Sequence, residues 1–232
     1  SGTVHIGNFR ELITVDFVRR ALEKKGAKTR FIFSWDNYDV FRKVPANMPR
    51  QEELKKFLGK PIVKTPDPFG KESSYARVHE LAMETAIRKV GIAPEFLYQE
   101  KKYRSGEYAA ELRAALLKKK EIAAILDKYR EEPLHESWLP ISIFCTRCDS
   151  NETAVETWDG DWEVAYACKA CGQQETLDLR KTGAVKLLWR IDWPMRWNYE
   201  KVDFEPGGKD HSTAGGSFDT AKQLVKIVWN RE

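Results

Sequence analysis

Residues 1–39 read SGTVHIGNFRELITVDFVRRALEKKGAKTRFIFSWDNYD, and the order of their parts decides the fold class. Past the polar turn, apolar residues fall at Leu12, Val15, Val18 and Leu22, with Ile13, Phe17 and Ala21 beside them. That is the spacing of one buried helix face. The helix is expected to stop near Lys24, with Gly26 as its C-terminal signal. The run Arg30–Ser34 reads as a strand, and it delivers Trp35, Asp36, Asn37 and Asp39 at its C-terminal end. Turn, helix and strand in that order predict an α/β unit with a parallel sheet.

Outward from this unit the pattern changes three times. From Val44 to Gly70 the text is Pro-rich, with a short helical piece around Glu52–Leu58. Two better helices follow, Ser74–Val90 with Val78, Leu81 and Ala82 on one face, and Ala110–Arg130 with Leu112, Leu116, Ile122, Leu126 and Tyr129. The stretch from Ile141 to Leu179 carries all the cysteines and strand-like text such as WEVAYAC. Then AVKLLWRIDWPMRW resumes the α/β character. The end of the chain reads as a short strand, a Gly-rich turn, and a helix with Phe218, Leu224, Val225 and Val228 on one side. The expected organisation is α/β: a parallel-sheet domain in two parts, 1–44 and 183–232, split by a mostly helical insertion, 45–140, and a cysteine module, 141–182.

Composition bounds the function without choosing it. With 232 residues, 42% hydrophobic, the chain can bury a real core, and its 8 Trp and 11 Phe exclude a solvated disordered tail. No apolar run approaches the ~20 residues a membrane-spanning helix needs, and residues 1–8 lack the pattern of a signal peptide. A cytoplasmic protein with no membrane partner is the expectation. The net charge of +4 permits a nucleic-acid partner without requiring one. The run Lys118–Lys120 reads first as a solvated helix face.

Three constellations carry chemistry. Cys145-x2-Cys148, then 19 residues, then Cys168-x2-Cys171 can bring four thiolates to one tetrahedral Zn2+. Four sulfurs leave no open position, so such a zinc is structural, and the alternative is disulfides or plain thiols. At the opening, His5 and Asn8 stand three apart with Gly7 between them, at a helix start where polar donors can meet a phosphate. A capped helix with a surface histidine fits the same spacing. In GGKDHSTAGGS, Gly207, Gly208, Gly215 and Gly216 surround Asp210 and His211 ahead of a helix, a turn suited to a ribose or phosphate. Ligands of open parallel sheets bind beyond the C-terminal strand ends, where both turns are expected.

SGTVHIGNFRE resembles the His-Ile-Gly-His signature of class I aminoacyl-tRNA synthetases, with Asn in the fourth place. WDNYDVFRKVP, the four cysteines, WRIDWPMRW and FEPGGKDHSTAGGSFDTA follow in the order of the class I lysyl-tRNA synthetases, and the resemblance runs the length of the chain. It implies a Rossmann-type catalytic domain split by a connective insertion and a zinc ribbon. The implied reaction is ATP-dependent activation of L-lysine to lysyl-adenylate, then transfer to tRNA(Lys); Mg2+ with ATP is expected from phosphate chemistry. By the resemblance, His5 and Asn8 meet the ATP phosphates, Gly7 lies against adenine, and Gly208 and Asp210 meet the ribose. Trp189 and His211 are chosen for the amino-acid pocket.

Chemistry adds one weaker candidate. An ammonium head wants a carboxylate and its stem wants aromatic walls, so Asp36, or Asp39, and the Trp189, Trp193, Trp197 series are placed there. The same tryptophans also fit plain core. Relative to the family pattern, segments before Ser1 and after Glu232 are missing, so the chain by itself is expected to be inactive or nearly so. The insertion and ribbon are expected near the tRNA acceptor end. The competing readings are a glutamate or cysteine class I synthetase, a nucleotidyltransferase, and a zinc-organised nucleic-acid-binding module without catalysis.

Overall fold

The computed structural model describes residues 3–213 and 215–231, apart from the side chain of Asp210. They fall into two compact units, Ser1–Lys101 with Cys148–Asn151, and Lys102–Arg147 with Glu152–Glu232. The segment Cys148–Asn151 counts with the first because the Asn151 N–H donates to the Gly59 carbonyl at 2.8 Å.

In the first unit, helix α1 spans Ile6–Lys24 and is capped at its end by Lys25, with Gly26 next at φ +85°. Only Leu12 and Asp16 are fully buried on it. The expected apolar face is thus not a uniform seam: Phe17 and Leu22 are exposed. Asp16 takes an inner position because Arg19 and Arg20, one turn on, both donate to its carboxylate. Strand β1, Ile32–Trp35, pairs in parallel with β2, Glu95–Tyr98, from Ile32 opposite Glu95 to Trp35 opposite Tyr98. The sequence reading assigned no strand there, since EFLY is only one short apolar run between helices.

Between the two strands come α2, Gln51–Lys55, and α3, Tyr75–Lys89, whose start is capped by the Ser74 hydroxyl accepting from the Arg77 N–H. Leu12 of α1 packs with Met83, Ile87 and Ile92 against Phe33, Trp35 and Phe96 of the strands. A second cluster, Phe41, Met48, Leu54 and Tyr75, fills the Pro-rich stretch. The buried face of α3 is Tyr75, Ala76, Glu80, Met83, Glu84 and Ile87. The expected face of Val78, Leu81 and Ala82 is displaced because Glu80 and Glu84 go inside. Buried carboxylates need partners, and Glu80 accepts from Asn37 at 2.9 Å while Glu84 accepts from Tyr98 at 2.8 Å. Burial drives the Glu80 carboxyl above its usual range against the opposing pull of Asn37 and Arg77.

Helix α4 covers Gln99–Arg104. In the second unit, the helix expected over 110–130 is two helices, α5, Ala109–Leu117, and α6, Lys119–Asp127, joined at Lys118. The break lets both short apolar stripes turn inward: Leu112, Ala115 and Leu116 on one, Ile122, Ile125 and Leu126 on the other. Strand β3, Ile141–Ile143, pairs antiparallel with β7, Val185–Leu187. Strands β4, Thr153–Trp158, β5, Glu163–Cys168, and β6, Gln174–Asp178, form an antiparallel ribbon in that order. Helix α7, Trp189–Glu200, packs on α9, Ser217–Trp229, and a four-residue helix α8, Lys209–Ser212, precedes α9. The short strand expected at the start of VDFEPGG does not form: residues 202–208 have no regular secondary structure, and Glu205, Gly207 and Gly208 serve neighbouring side chains and α8.

The architecture is therefore mixed α/β with small sheets, one two-stranded parallel pair, one two-stranded antiparallel pair and a three-stranded antiparallel ribbon among the described residues. No helix in this set is long and apolar enough to cross a membrane.

Candidate functional site

At the start of α1, three residues are bonded to one another. The His5 Nδ1 accepts from the Gly7 N–H at 3.0 Å, and the Asn8 Oδ1 accepts from the His5 N–H at 3.2 Å. Such a reciprocal cap satisfies donors that a helix start leaves open. The ring folds back so closely that a Cβ on Gly7 would stand 2.8 Å from the His5 Cε1. Each cap bond uses an acceptor atom. A neutral His5 whose Nδ1 accepts must carry its proton on Nε2, and Asn8 keeps its Nδ2 protons. The exposed His5 thus turns its acceptor into the cap and keeps a donor.

Asp36 lies at the C-terminal end of β1 and is exposed, its carbonyl accepting from the Asp39 N–H at 3.3 Å in a turn. Beside it, Asn37 is buried and bridges α3 and the residues after β2: its Nδ2 donates to Glu80, and its Oδ1 accepts from the Glu100 N–H at 2.9 Å. The Gln99 side chain donates to the Ser34 hydroxyl at 2.7 Å. Sequence reasoning missed this polar tie across the ends of the two parallel strands. Asn37 in WDNYD was its one visible signal.

In the second unit, α7 carries two different faces. Trp189, Trp193 and Trp197 are spaced by four along one of them. The Trp189 and Trp193 rings stack at 5.5 Å and 16°, and Trp197 meets Trp193 edge-on at 4.9 Å. His211 from α8 lies 6.0 Å from Trp189 and 5.5 Å from Trp193, and its Nδ1 is 2.7 Å from the Ser217 hydroxyl. Phe218 closes the group 5.0 Å from Trp193. Trp189 and His211, paired in the sequence analysis as candidates for one pocket, lie side by side. Glu205, which the sequence reading did not single out, accepts from the Trp193 indole N–H at 2.9 Å and also from the Trp197 indole N–H.

The other face of α7 is ionic and buried. Arg196 Nη2 donates to Asp192 Oδ2 at 2.7 Å, the Tyr103 hydroxyl donates to Asp192 Oδ1, and the Leu187 N–H donates to the Tyr103 oxygen at 3.2 Å. Burial, then the adjacent Asp192 charge, hold the Tyr103 phenol well above its ordinary range.

The Gly-rich turn is built around these rings. A Cβ on Gly207 would fall 1.9 Å from the Phe218 Cε2, so only glycine lets the chain pass. The Gly208 carbonyl accepts from the His211 N–H at 3.0 Å and opens α8. The side chain of Asp210, the expected ribose contact, lies outside the described residues.

The sulfurs of Cys145, Cys148, Cys168 and Cys171 all lie within 4.8 Å of one another, and Cys145 and Cys171 are 3.6 Å apart. Zn–S bonds of about 2.3 Å put the sulfurs of a tetrahedral site about 3.8 Å apart, so the residues fit a metal ion bound by four thiolates. Each pair sits on a turn of the ribbon: the Cys168 carbonyl accepts from Gly172 at 3.0 Å, and Asp149 adopts φ +59° after Cys148. The Tyr166 hydroxyl, pushed up to about 12 chiefly by burial, lies 3.7 Å from the Cys145 sulfur. At the α5–α6 junction, Lys118 pairs with Glu121 at 2.9 Å.

The whole sequence, residues 1–232, matches the family described as tRNA synthetases class I (K). The chain belongs to that class I synthetase family. It is 58% identical, over 98% of its length, to a lysine–tRNA ligase of Borrelia garinii subsp. bavariensis. It is 54% identical over 99% to one of Treponema pallidum, and 51% over 99% to one of Thermococcus kodakarensis. The chain spans 43% of the length of the first of these relatives and 44% of the other two. Of the stretches that carry the resemblance, HIGN lies at the start of α1, and WRIDWPMRW and FEPGGKDH lie around the indole face of α7.

Proposed function

We propose that the chain is part of the catalytic region of a lysine–tRNA ligase. That enzyme joins L-lysine to ATP as lysyl-adenylate with release of pyrophosphate, and then transfers the lysyl group to tRNA(Lys) with release of AMP. The observation that carries the reading is identity of 51–58% to ligases of that name across nearly the whole chain. In this reading the parallel pair β1–β2 belongs to a Rossmann-type sheet. Residues 1–44 and 183–232 carry the catalytic domain, 141–182 the ribbon, and 45–140 the connective insertion apart from β2, which pairs with β1. The setting is the cytoplasm.

The α1 cap suits ATP phosphates, because it spends the acceptors of His5 and Asn8 on the backbone and leaves Nε2–H and Nδ2–H as donors. Donors fixed before the reaction stabilise charge that grows on phosphate oxygens during attack by the lysine carboxylate. Gly7, without a side chain, leaves room for adenine, and Gly208 with Asp210 takes the ribose. Trp189 and His211 form the wall for the lysine stem, and Asp36 is the candidate for its ammonium. Mg2+ would neutralise phosphate charge. Zn2+ held by Cys145, Cys148, Cys168 and Cys171 would be structural, since four thiolates close its coordination.

The test is amino-acid-dependent ATP–pyrophosphate exchange by the full-length protein, with lysine, glutamate, glutamine, cysteine and arginine, with and without tRNA. Exchange with lysine alone is the expected result. Exchange with another amino acid would keep the class and discard the substrate. None under any condition would return the zinc-organised binding module to first place.

A further inference from the structure

Glu205 stands outside the three helices, α7, α8 and α9, that form the aromatic wall, yet it is the acceptor for two of the wall's indoles. Its Oε1 takes the Trp193 N–H at 2.9 Å and its Oε2 takes the Trp197 N–H. Trp193 is the central ring: Trp189 stacks on it, Trp197 and Phe218 meet it edge-on, and His211 lies 5.5 Å away. An indole in an apolar group can rotate about two side-chain bonds, and area burial alone is non-directional. Two charge-assisted hydrogen bonds to one shared carboxylate restrict that freedom for both rings.

The backbone that carries Glu205 is itself seated on the wall. Two residues on, Gly207 passes Phe218 so closely that a Cβ would fall 1.9 Å from the ring. Immediately after it, Gly208 opens the short helix that holds His211. One segment, 205–208, thus sets the angle of the indoles and the place of the imidazole.

We propose that Glu205 is a positioning residue of the amino-acid pocket, fixing Trp193 and, through it, the ring face that Trp189 and His211 present to substrate. The inference rests on the reading of Trp189 and His211 as that pocket. In the full-length enzyme, Glu205→Ala is expected to raise the KM for lysine about tenfold, in keeping with loss of a hydrogen bond to a charged group. The KM for ATP should move by less than about twofold, since each tenfold step needs its own 1.4 kcal/mol. The near-ultraviolet circular dichroism of the stacked indoles should weaken in the absence of any substrate. Glu205→Gln, which keeps one acceptor oxygen, should fall between wild type and Glu205→Ala, and it serves as the test if the alanine variant does not fold. Equal changes in both KM values, or an unchanged indole spectrum, would overturn the proposal. Trp189→Ala is the control: if it leaves the lysine KM unchanged, the pocket reading fails, whatever Glu205 does to the spectrum.

Discussion

Helices α1 and α7 carry the same Asp-x3-Arg spacing and use it differently. In α1, Arg20 and Arg19 both reach Asp16, at 2.6 and 2.8 Å, and the carboxylate is 2% exposed, but the guanidiniums are 50% and 26% exposed. In α7, Arg196 reaches Asp192 at 2.7 Å with side chains 9% and 2% exposed, and Tyr103, 89 positions away in sequence, takes the other oxygen. The first is a pairing within one helix whose guanidiniums reach water while the carboxylate is buried. The second is a cross-link between segments, sealed from water. Identical spacing therefore says that two groups can meet, and burial decides what the meeting is worth.

The largest expected difference follows from that contrast. Asp192→Ala leaves Arg196 and the Tyr103 hydroxyl buried without their carboxylate, and breaking a buried pair costs about 3–5 kcal/mol. Asp16→Ala leaves two guanidiniums that reach water, so the loss should fall nearer the ~1 kcal/mol of an exposed pair than that of a sealed one. Equilibrium urea unfolding of the two variants beside wild type measures both. Equal losses would break the comparison and place the α1 carboxylate among the cross-links.

The same contrast explains what could be read from the sequence. The bounds of α1 and α3 were legible because caps and stops are local: His5, Ser74 and Gly26 act within a few residues. The cysteine cluster was legible because each pair lies on one turn. Which apolar residues go inside was less so, since Asp16, Glu80 and Glu84 enter the core on hydrogen bonds that periodicity does not register. Strand β2 was hidden because its pairing with β1 spans more than 60 residues, and the 110–130 helix was drawn unbroken because nothing local marks Lys118 as a joint. At the site, Trp189 and His211 came from resemblance and stand together. Glu205 was missed because its two partners lie 12 and 8 positions back, and EPGG reads only as a turn.

Acid sharpens the comparison from the side of α1. Burial pushes the Asp16 carboxyl up, and the hydrogen bonds from Arg19 and Arg20 outweigh it, so its pKa is lowered from the ordinary 3.8. A carboxyl with a depressed folded-state value contributes stability that is present above its unfolded value and lost as pH falls through the folded one. The gap in stability between wild type and Asp16→Asn should therefore hold steady from neutral pH to about 4 and close below it. A gap that stayed open in acid, as long as both proteins remain folded, would mean that the paired charge is not what holds Asp16 inside.

A small effect on stability should accompany the largest effect on chemistry. His5 caps α1 through one exposed hydrogen bond, and losing a cap costs about 1 kcal/mol. If the Nε2 proton left outward by that cap serves the ATP phosphates, His5→Ala should slow ATP–pyrophosphate exchange about a hundredfold or more while the protein stays folded. Gly7→Ala separates the two jobs of the ring, because the new Cβ, 2.8 Å from Cε1, must push the imidazole off its cap without removing it. Slowed exchange in both variants, with unfolding curves close to wild type and the KM for ATP unchanged in Gly7→Ala, would assign the cap the task of aiming His5. Full exchange in the Gly7→Ala enzyme would mean that the ring finds its place on the substrate alone, and that the α1 turn is local in its chemistry as well as in its bonds.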